Sequence, residues 1–385
     1  MSFKTIIDNA TGVVTQDGGQ VTLPAPTEQG QTLVANSSGA YVASTVNPTF
    51  KNRIINGDMR VAQRGTAAVT SVSDQTRYPV DRWYMQNSVA SPALTGQQSS
   101  DAPPGFSNSL LLSTTTAINT SNAQQIIISQ KVEGYNVSDL AFATPSAKQL
   151  TLSFWVKSSV TGTYGGAAAL YPVNSSAYGY VFTYTISSPN TWERKTVAIA
   201  GSQSLPIPNT ANGVGMYISF DLGSGTNFST TAGSWNQGDF KRTSACVKWA
   251  NNANATFYLT GVQLELGSVA TPFEMRPMQI ELALCQRYYW SNGPAASAFY
   301  GSGVCTTTSN ATFYIKYPQV MRAQPTVSAT GNTVYVPGII FGTSAALSTA
   351  NYGDQSLTVN FTRSSLSAGS PALLQDGTIA LSAEL

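Results

Sequence analysis

The sequence predicts a mainly β protein: an antiparallel sandwich domain, a second β domain behind it, one helix connecting the two, and an extended arm in front. Three observations lead there. Segments of strict apolar/polar alternation recur through residues 51–275 and again through 296–385, separated by Gly, Pro, Asn and Ser clusters. A single segment carries a convincing helical spacing. The first 50 residues hold few large apolar groups and are broken by Gly12, Gly18, Gly19, Pro24, Pro26, Gly30 and Gly39.

Taken in order, residues 1–50 contain short strand-like pieces at Lys4–Ile7, Gln20–Leu23, Gln31–Ala35 and Tyr41–Ser44. Such a segment cannot bury a core by itself; it is a flexible arm or an element that orders against other chains. In the following domain, Thr151–Lys157 places Leu152, Phe154 and Val156 on one face and Ser153, Trp155 and Lys157 on the other. Tyr178, Tyr180, Phe182, Tyr184 and Ile186 share a face, as do Met216, Ile218, Phe220 and Leu222, and more briefly Val197 and Ile199. In Thr256–Leu266 the alternation slips: Phe257 and Leu259 face one way, Val262, Leu264 and Leu266 the other. A bulge at Gly261 restores the register, because one extra unpaired residue re-aims every later side chain. The helix is Met278–Trp290, entered through Pro277, whose missing amide proton costs nothing in a first turn. Its apolar stripes, Met278/Leu282/Cys285/Tyr289 and Ile280/Leu284/Tyr288, predict packing on two sides, against two β domains or against symmetry-related copies. Gly293 and Pro294 end it. Residues 296–385 then alternate through Phe313, Ile315 and Tyr317, through Leu357, Val359 and Phe361, and through Ile379, Leu381 and Leu385.

Composition excludes several functions. At 385 residues the chain has room for two or three domains of roughly 100–200 residues. Charged residues make up 10%, against roughly 25% in an ordinary soluble protein, while Ser, Thr, Asn, Gln, Gly and 18 Tyr take their place. There is no histidine. That removes Ser-His-Asp and Cys-His catalysis and His-ligated zinc. A net charge of +2 without a Lys/Arg cluster argues against nucleic acid. No secretory leader and no membrane span is expected, so the chain is read as made in a cytoplasm and not inserted in membrane. Cys246, Cys285 and Cys305 are too few and too scattered for a disulfide framework or a metal site, and are read as small core thiols; no cofactor is expected.

No nucleophile elbow, phosphate loop or dinucleotide fingerprint is present. Of the acids, Asp74/Asp81 and Glu265/Glu274 lie close in sequence, but read as loop and strand-end groups pairing with Arg77, Arg82 or Arg276 rather than as the carboxyl pair of a glycosidase. Binding fits the composition better. A pyranose ring lays its C–H groups on a flat aromatic face, while amides and hydroxyls meet its OH groups. Residues 155–192 carry Trp155, Tyr164, Tyr171, Tyr178, Tyr180, Tyr184 and Trp192, with Asn174, Ser175 and Ser176 between. Trp155 lies on the polar face of its strand, where burial does not explain a tryptophan. Trp235, next to Asn236 and Gln237 in a Gly-bounded loop, is a second candidate. The glycan-binding candidates are therefore Trp155, Tyr164, Tyr171, Trp235 and Asn236; the competing reading is that large aromatics are ordinary sandwich core.

Several strings carry a resemblance. NRIINGDMRVAQRG at 52–65, followed by YPVDRWYM at 78–85, SQKVEG at 129–134 and LSFWVKSSVTGTY at 152–164, resembles a carbohydrate-binding-module-like jelly roll of bacteriophage tail fibre and virion appendage proteins. GVQLELGSVATPFEMRP at 261–277, running into QIELALCQRYY, is its most specific string. YPQVMRAQPTV at 317–327 resembles the start of a C-terminal β module that often follows, and GQTLVANSSGAYVAS resembles short units near the virion-proximal end of phage fibres. The resemblance implies a jelly-roll domain at 51–275, a connecting helix at 276–295, a C-terminal β domain at 296–385 and a virion-attachment arm at 1–50. It also implies a homotrimer held to other virion proteins through that arm. Related modules bind a structural calcium through a Glu after Asn-Gly-Asp and an Asp on the last strand. Here those places hold Met59-Arg60 and Thr260-Gly261, so no calcium is carried over.

The expected function is a non-catalytic tail fibre or receptor-binding protein of the virion, attaching to bacterial surface polysaccharide or lipopolysaccharide, where repeated weak contacts multiply. The alternatives are a purely structural head fibre, appendage or connector, and a polysaccharide depolymerase with carboxylates assembled between subunits.

Overall fold

A computed structural model describes residues 13–16, 19–22, 31–35, 41–45, 50–89, 93–172, 176–293, 299–336, 346–353 and 356–385. Two compact units divide the chain, Met1–Lys51 and Asn52–Leu385.

The first unit holds two antiparallel hairpins. Strands β1 (Val13–Gln16) and β2 (Gly19–Thr22) pair from Val13↔Thr22 to Gln16↔Gly19; β3 (Gln31–Ala35) and β4 (Tyr41–Thr45) pair from Gln31↔Thr45 to Ala35↔Tyr41. The expected Lys4–Ile7 piece lies outside the described residues. Strand β1, which pattern reading left unassigned, is the partner that the Gln20 strand needed.

The second unit opens with the sandwich. Its strands are β5 (Val69–Thr70), β6 (Thr76–Val80), β7 (Trp83–Asn87), β8 (Leu94–Ser99), β9 (Ser109–Thr114), β10 (Ile126–Glu133), β11 (Leu150–Ser158), β12 (Gly162–Leu170), β13 (Tyr178–Ile186), β14 (Glu193–Ile199), β15 (Val214–Asp221), β16 (Trp235–Gln237) and β17 (Thr256–Leu266). They form a seven-stranded sheet, β16-β13-β12-β15-β10-β7-β6, and a six-stranded sheet, β14-β11-β17-β9-β8-β5, in which every ladder is antiparallel.

The predicted inner faces meet between the sheets. Leu152, Phe154, Val156, Met216, Ile218 and Phe220 are all fully buried. Phe154 makes edge contacts with Phe220 and Tyr184 at centroid distances of 4.9 and 5.0 Å, a geometry that adds to plain area burial. The bulge falls where the slipped alternation put it. Ser153 pairs with Gln263 but Trp155 with Thr260, so Gly261 and Val262 together face Phe154. Gly261 has φ +60, and Phe257, Leu259, Val262 and Leu264 are all buried.

Helix α1 spans Met278–Gln286, shorter than predicted, because Tyr289–Ser291 turns into strand β18. Within the helix Glu281 and Cys285 are buried while Met278 and Ile280 stand exposed. Both predicted stripes contribute to its packing: Leu282 and Cys285 from one, Leu284 and Tyr288 from the other, gather with Ile55 and Val61 of the sandwich domain and with Leu385. Strands β19 (Phe299–Cys305), β20 (Asn310–Lys316), β21 (Thr326–Thr330), β22 (Thr333–Tyr335), β23 (Ala346–Tyr352), β24 (Ser356–Thr362), β25 (Pro371–Gln375) and β26 (Thr378–Ser382) complete the chain. They form a six-stranded sheet, β22-β25-β19-β20-β24-β23, and with β18 a three-stranded one, β18-β26-β21. Phe313, Ile315, Leu357, Val359, Phe361, Ile379 and Leu381 make a second core, as the alternation required. All three cysteines are buried. Among the described residues no helix is long and apolar enough to cross a membrane.

Four of the strings that carried the resemblance, those at 52–65, 78–85, 129–134 and 261–277, converge on one junction beneath α1. Asn52 Oδ1 accepts from the amides of Ile54 and Leu264, both at 3.0 Å, and Asn56 Nδ2 donates to the carbonyls of Val61 and Asp81, both at 2.9 Å. Buried side-chain amides thus stand in for backbone partners where the chain runs irregularly. Gly57 has no alternative, since a Cβ there would lie 2.2 Å from the Val262 carbonyl oxygen. Glu281 accepts from the Asn56 amide and faces Arg276 at 3.4 Å; burial pushes its carboxyl above the ordinary range.

Further round the junction, Glu133 takes Arg287 Nη2 and Tyr288 OH, each at 2.6 Å. The Arg82 guanidinium lies 3.5 Å over the Tyr288 ring and pairs with Glu384, while Arg64 reaches Glu384 at 3.1 Å and Asp81 at 3.6 Å. Of the acids expected to pair with Arg77, Arg82 or Arg276, Glu274 meets Arg276 at 3.2 Å, whereas Asp81 is held by Gln63 and Arg64 while Arg82 crosses to Glu384.

Candidate functional site

The outer face of the six-stranded sheet carries the most distinctive side-chain arrangement. Register alone lines up Gln97, Leu111, Tyr258 and Lys157 across β8, β9, β17 and β11. Trp192, one residue before β14, extends this row. Its ring sits 6.0 Å from that of Tyr258 in an edge arrangement, and Lys157 Nζ lies 4.2 Å from the Tyr258 ring centre and 5.2 Å from that of Trp192.

Two residues along the same face of β11 stands Trp155, opposite Thr260 and Arg194. The bulge shapes its surroundings. A Cβ at Gly261 would lie 2.7 Å from the Phe106 ring and 3.0 Å from Trp155, so the absence of a side chain lets both rings lie over the strand. Phe106 in turn meets Phe273 edge-on at 5.2 Å. Phe273, Phe106, Trp155, Tyr258 and Trp192 are each neither buried nor fully exposed, forming a band of half-covered rings.

One ion pair sits in the band. Lys157 donates to Asp101, which also accepts from Trp192 Nε1 at 3.1 Å. The Lys157 hydrogen bond comes first among the causes that hold the Asp101 carboxyl below its ordinary value. The pair fixes the Trp192 ring and leaves 45% of the Asp101 side chain exposed, with acceptor capacity toward solvent. Burial, and secondarily Asp101, raises the Tyr258 phenol. Arg194 donates to the Thr271 carbonyl at 3.0 Å, tying the loop that carries Phe273 to the sheet edge.

The five sequence candidates fall in separate places. Trp155 is in the band. Tyr164 is corrected: it is 0% exposed, stacks on Tyr184 at 5.6 Å and donates to the Val160 carbonyl, so it belongs to the core and touches no ligand. Tyr171 lies on the seven-stranded sheet, 37% exposed, its ring 5.1 Å from Tyr217, whose hydroxyl pairs with Asp239 and Lys241. Burial, and then Asp239, pushes its phenol up to about 12. Trp235 closes the sandwich edge, packing on Phe142 and Tyr180 with Nε1 donating to the Ala200 carbonyl at 2.7 Å. Asn236 donates to Ser234. Asn174 and Ser175 lie outside the described residues. Trp192 and Tyr258 were not among the candidates, although the bracketing of Tyr258 by Phe257 and Leu259 marks it as facing away from the core. Asp101, Phe106 and Phe273 come from loops without periodicity and gave no signal.

Asp58 is paired by Arg60, and among the described residues no group of three acidic, Cys or His side chains is placed to hold a metal.

No family model and no curated protein matches the chain. Among solved structures it is similar to the enzymatically active domain of bacteriophage CBA120 tailspike protein 4, with 12% identity and a TM-score of 0.29; the match covers 56% of this chain and 22% of that one. It is also similar to the family 11 carbohydrate-binding module of a Clostridium thermocellum cellulosomal cellulase, at 12% identity over 54% of this chain and 98% of the module, TM-score 0.28. A CBM4 structure matches at 14% identity over 55% and 98%, also with a TM-score of 0.28.

Proposed function

We propose that the chain is a non-catalytic glycan-binding protein of a bacteriophage virion, a tail fibre or receptor-binding subunit. In this reading the outer face of the six-stranded sheet meets bacterial surface polysaccharide or lipopolysaccharide. The observation that carries the reading is the band of half-covered rings, Trp155, Trp192 and Tyr258 above all, around one ion pair. Flat rings offer stacking faces to sugar C–H groups, Asp101 offers acceptors to sugar hydroxyls, and Lys157 is engaged with Asp101 and the rings.

The virion assignment is supported by the order of the resembling strings between residues 52 and 327. Residues 1–50 fit an attachment arm: two-stranded hairpins are marginal alone in water and gain from strands supplied by a partner. In this reading the protein is a homotrimer, so that several weak sites act together.

The test is size-exclusion chromatography with light scattering, on the chain mixed with extracted bacterial surface polysaccharide, followed by Trp155→Ala and Trp192→Ala. The expected result is co-elution of intact glycan with a three-chain complex. Each variant should lose at least about tenfold in affinity, about 1.4 kcal/mol, while melting near the parent temperature. Glycan that elutes apart from every form of the protein would move the assignment to a structural virion component, and shortened glycan to a depolymerase.

A further inference from the structure

Trp155 of β11 is paired with Arg194 of β14, the edge strand of the six-stranded sheet. Directly opposed residues on one face carry their Cβ atoms only roughly 4.5–5.5 Å apart. Trp192 stands two residues before Arg194, and Trp155 two before Lys157, so two tryptophans and two cations alternate across the two strands. From the juxtaposition of Trp155 and Arg194 we infer that the glycan taken by this face is acidic: a sugar ring bearing a carboxylate lies on Trp155 and gives that carboxylate to Arg194. The inference rests on the glycan-binding reading of the band and narrows it to one class of ligand.

The two cations are not equivalent. Lys157 is taken up by Asp101 and sits against the Tyr258 and Trp192 rings, with 11% of its side chain exposed. Arg194 is exposed; among the described residues its guanidinium makes one hydrogen bond, to the Thr271 carbonyl, and meets no carboxylate. The acids around it are engaged. Glu193 accepts from the Ser187 and Ser188 amides and pairs with Lys195, both side chains alternating to the opposite side of β14 from Arg194. Glu265 is buried and accepts from the Thr271 amide and hydroxyl. Lys157 and Asp101 cancel, so the band keeps one uncompensated positive charge, and it stands beside Trp155.

Both groups are accessible, and their chemistry matches one ligand. In a uronic acid the carboxylate stands at the rim of the pyranose, so a ring laid flat on an indole directs it sideways, toward a neighbouring row. A guanidinium presents paired N–H donors to the two carboxylate oxygens, and only Nη2 of Arg194 is engaged, by Thr271. That bond also holds the head group in place before a ligand arrives, which lowers the cost of ordering it. A neutral sugar would gain from the rings alone and leave the charge unanswered.

Matched oligosaccharides separate charge from stacking. The full chain is titrated, by tryptophan fluorescence, with tetramers of galacturonate, of mannuronate and of hyaluronan, each against its own methyl ester, which keeps every ring and removes only the charge. At least one acid tetramer should bind about tenfold or more tighter than its ester at about 50 mM salt, and the gap should close toward about 500 mM. Arg194→Gln should bring the acid down to the affinity of its ester and leave the ester unchanged, while Arg194→Lys keeps part of the gap. Trp155→Ala should weaken acid and ester alike, and inorganic phosphate, a charge without a ring, should not displace the tetramer. Equal binding of acid and ester, an undiminished gap in Arg194→Gln, or displacement by phosphate would each overturn the inference and leave a glycan-binding face standing. Equal loss of acid and ester in Arg194→Gln would reduce Arg194 to a tie for the Phe273 loop, and overturn it too. Failure of all the tetramers while bacterial surface polysaccharide still co-elutes overturns the inference alone; if that polysaccharide also elutes apart, the reading beneath it falls as well.

Discussion

The junction beneath α1 and the outer face of the six-stranded sheet draw on the same small supply of charge, 20 basic and 18 acidic residues in 385, and use it in opposite ways. At the junction, Arg64, Arg82, Arg276 and Arg287 meet Asp81, Glu133, Glu281 and Glu384, four carboxylates that are all buried. On the sheet, a single pair is surrounded by half-exposed rings. Buried ion pairs are poor at adding net stability but severe when half removed, so the junction fixes one arrangement of the jelly roll against the C-terminal sheets. Half-exposed rings are the reverse: cheap to lose for the fold, and dear for any partner that covers them. The contrast predicts that substitutions sort cleanly into those that damage folding and those that damage binding.

The largest effect belongs to Arg82→Ala. It leaves the Glu384 carboxylate, whose side chain is 7% exposed, without its nearer partner, and uncovers the Tyr288 ring. Because Arg64 still reaches Glu384, a loss of about 3 kcal/mol is expected, the lower end for a broken buried pair. Denaturant unfolding measures it, and adding Glu384→Gln should restore part of the loss. A cost under about 1 kcal/mol would place this pair with ordinary surface bridges and break the contrast.

Gly261→Val is next, and it tests the boundary between the two regions. The position has φ +60, unfavourable for a β-branched residue, and the new side chain meets Phe106 and Trp155. A loss of about 1–3 kcal/mol is expected, together with a changed near-ultraviolet signal from the displaced tryptophan and lost glycan affinity. Unchanged affinity in a destabilised variant would detach the bulge from the binding face.

How far this division was legible in the sequence depends on periodicity. The inner faces of β11, β13 and β15 could be read residue by residue, and so could the bulge, because a period of two leaves no freedom once one face must be buried. Trp155 was legible as the exception on a polar face, whereas Tyr164 misled because β12 is buried at seven successive positions and its Gly- and Ala-rich sequence has no alternation to mark a core face. The junction was recognisable only as strings. That Arg82 skips Asp81 for Glu384, 302 positions away, follows from the docking of two sheets and from nothing local. The Phe106 and Phe273 rings arrive on loops and meet only after the fold has formed.

The smallest effect sharpens the comparison most, because it removes a charge from the outer face of the six-stranded sheet and leaves every ring. Asp101 is held below its ordinary value of 3.8 by Lys157 and Trp192, so its share of stability is present above that value and fades as pH falls through the lowered one. Tryptophan fluorescence of the parent should therefore stay flat from neutral pH to about 5 and change below about 4, as Trp192 Nε1 loses its charged acceptor. In Asp101→Asn that step should vanish, with the melting temperature near the parent's because the carboxylate is almost half exposed. Glycan affinity should fall by less than in Trp155→Ala, since the stacking faces remain. If Asp101→Asn instead abolished binding while Trp155→Ala left it intact, recognition on this face would run through charge rather than through the rings, and the two regions would differ only in exposure.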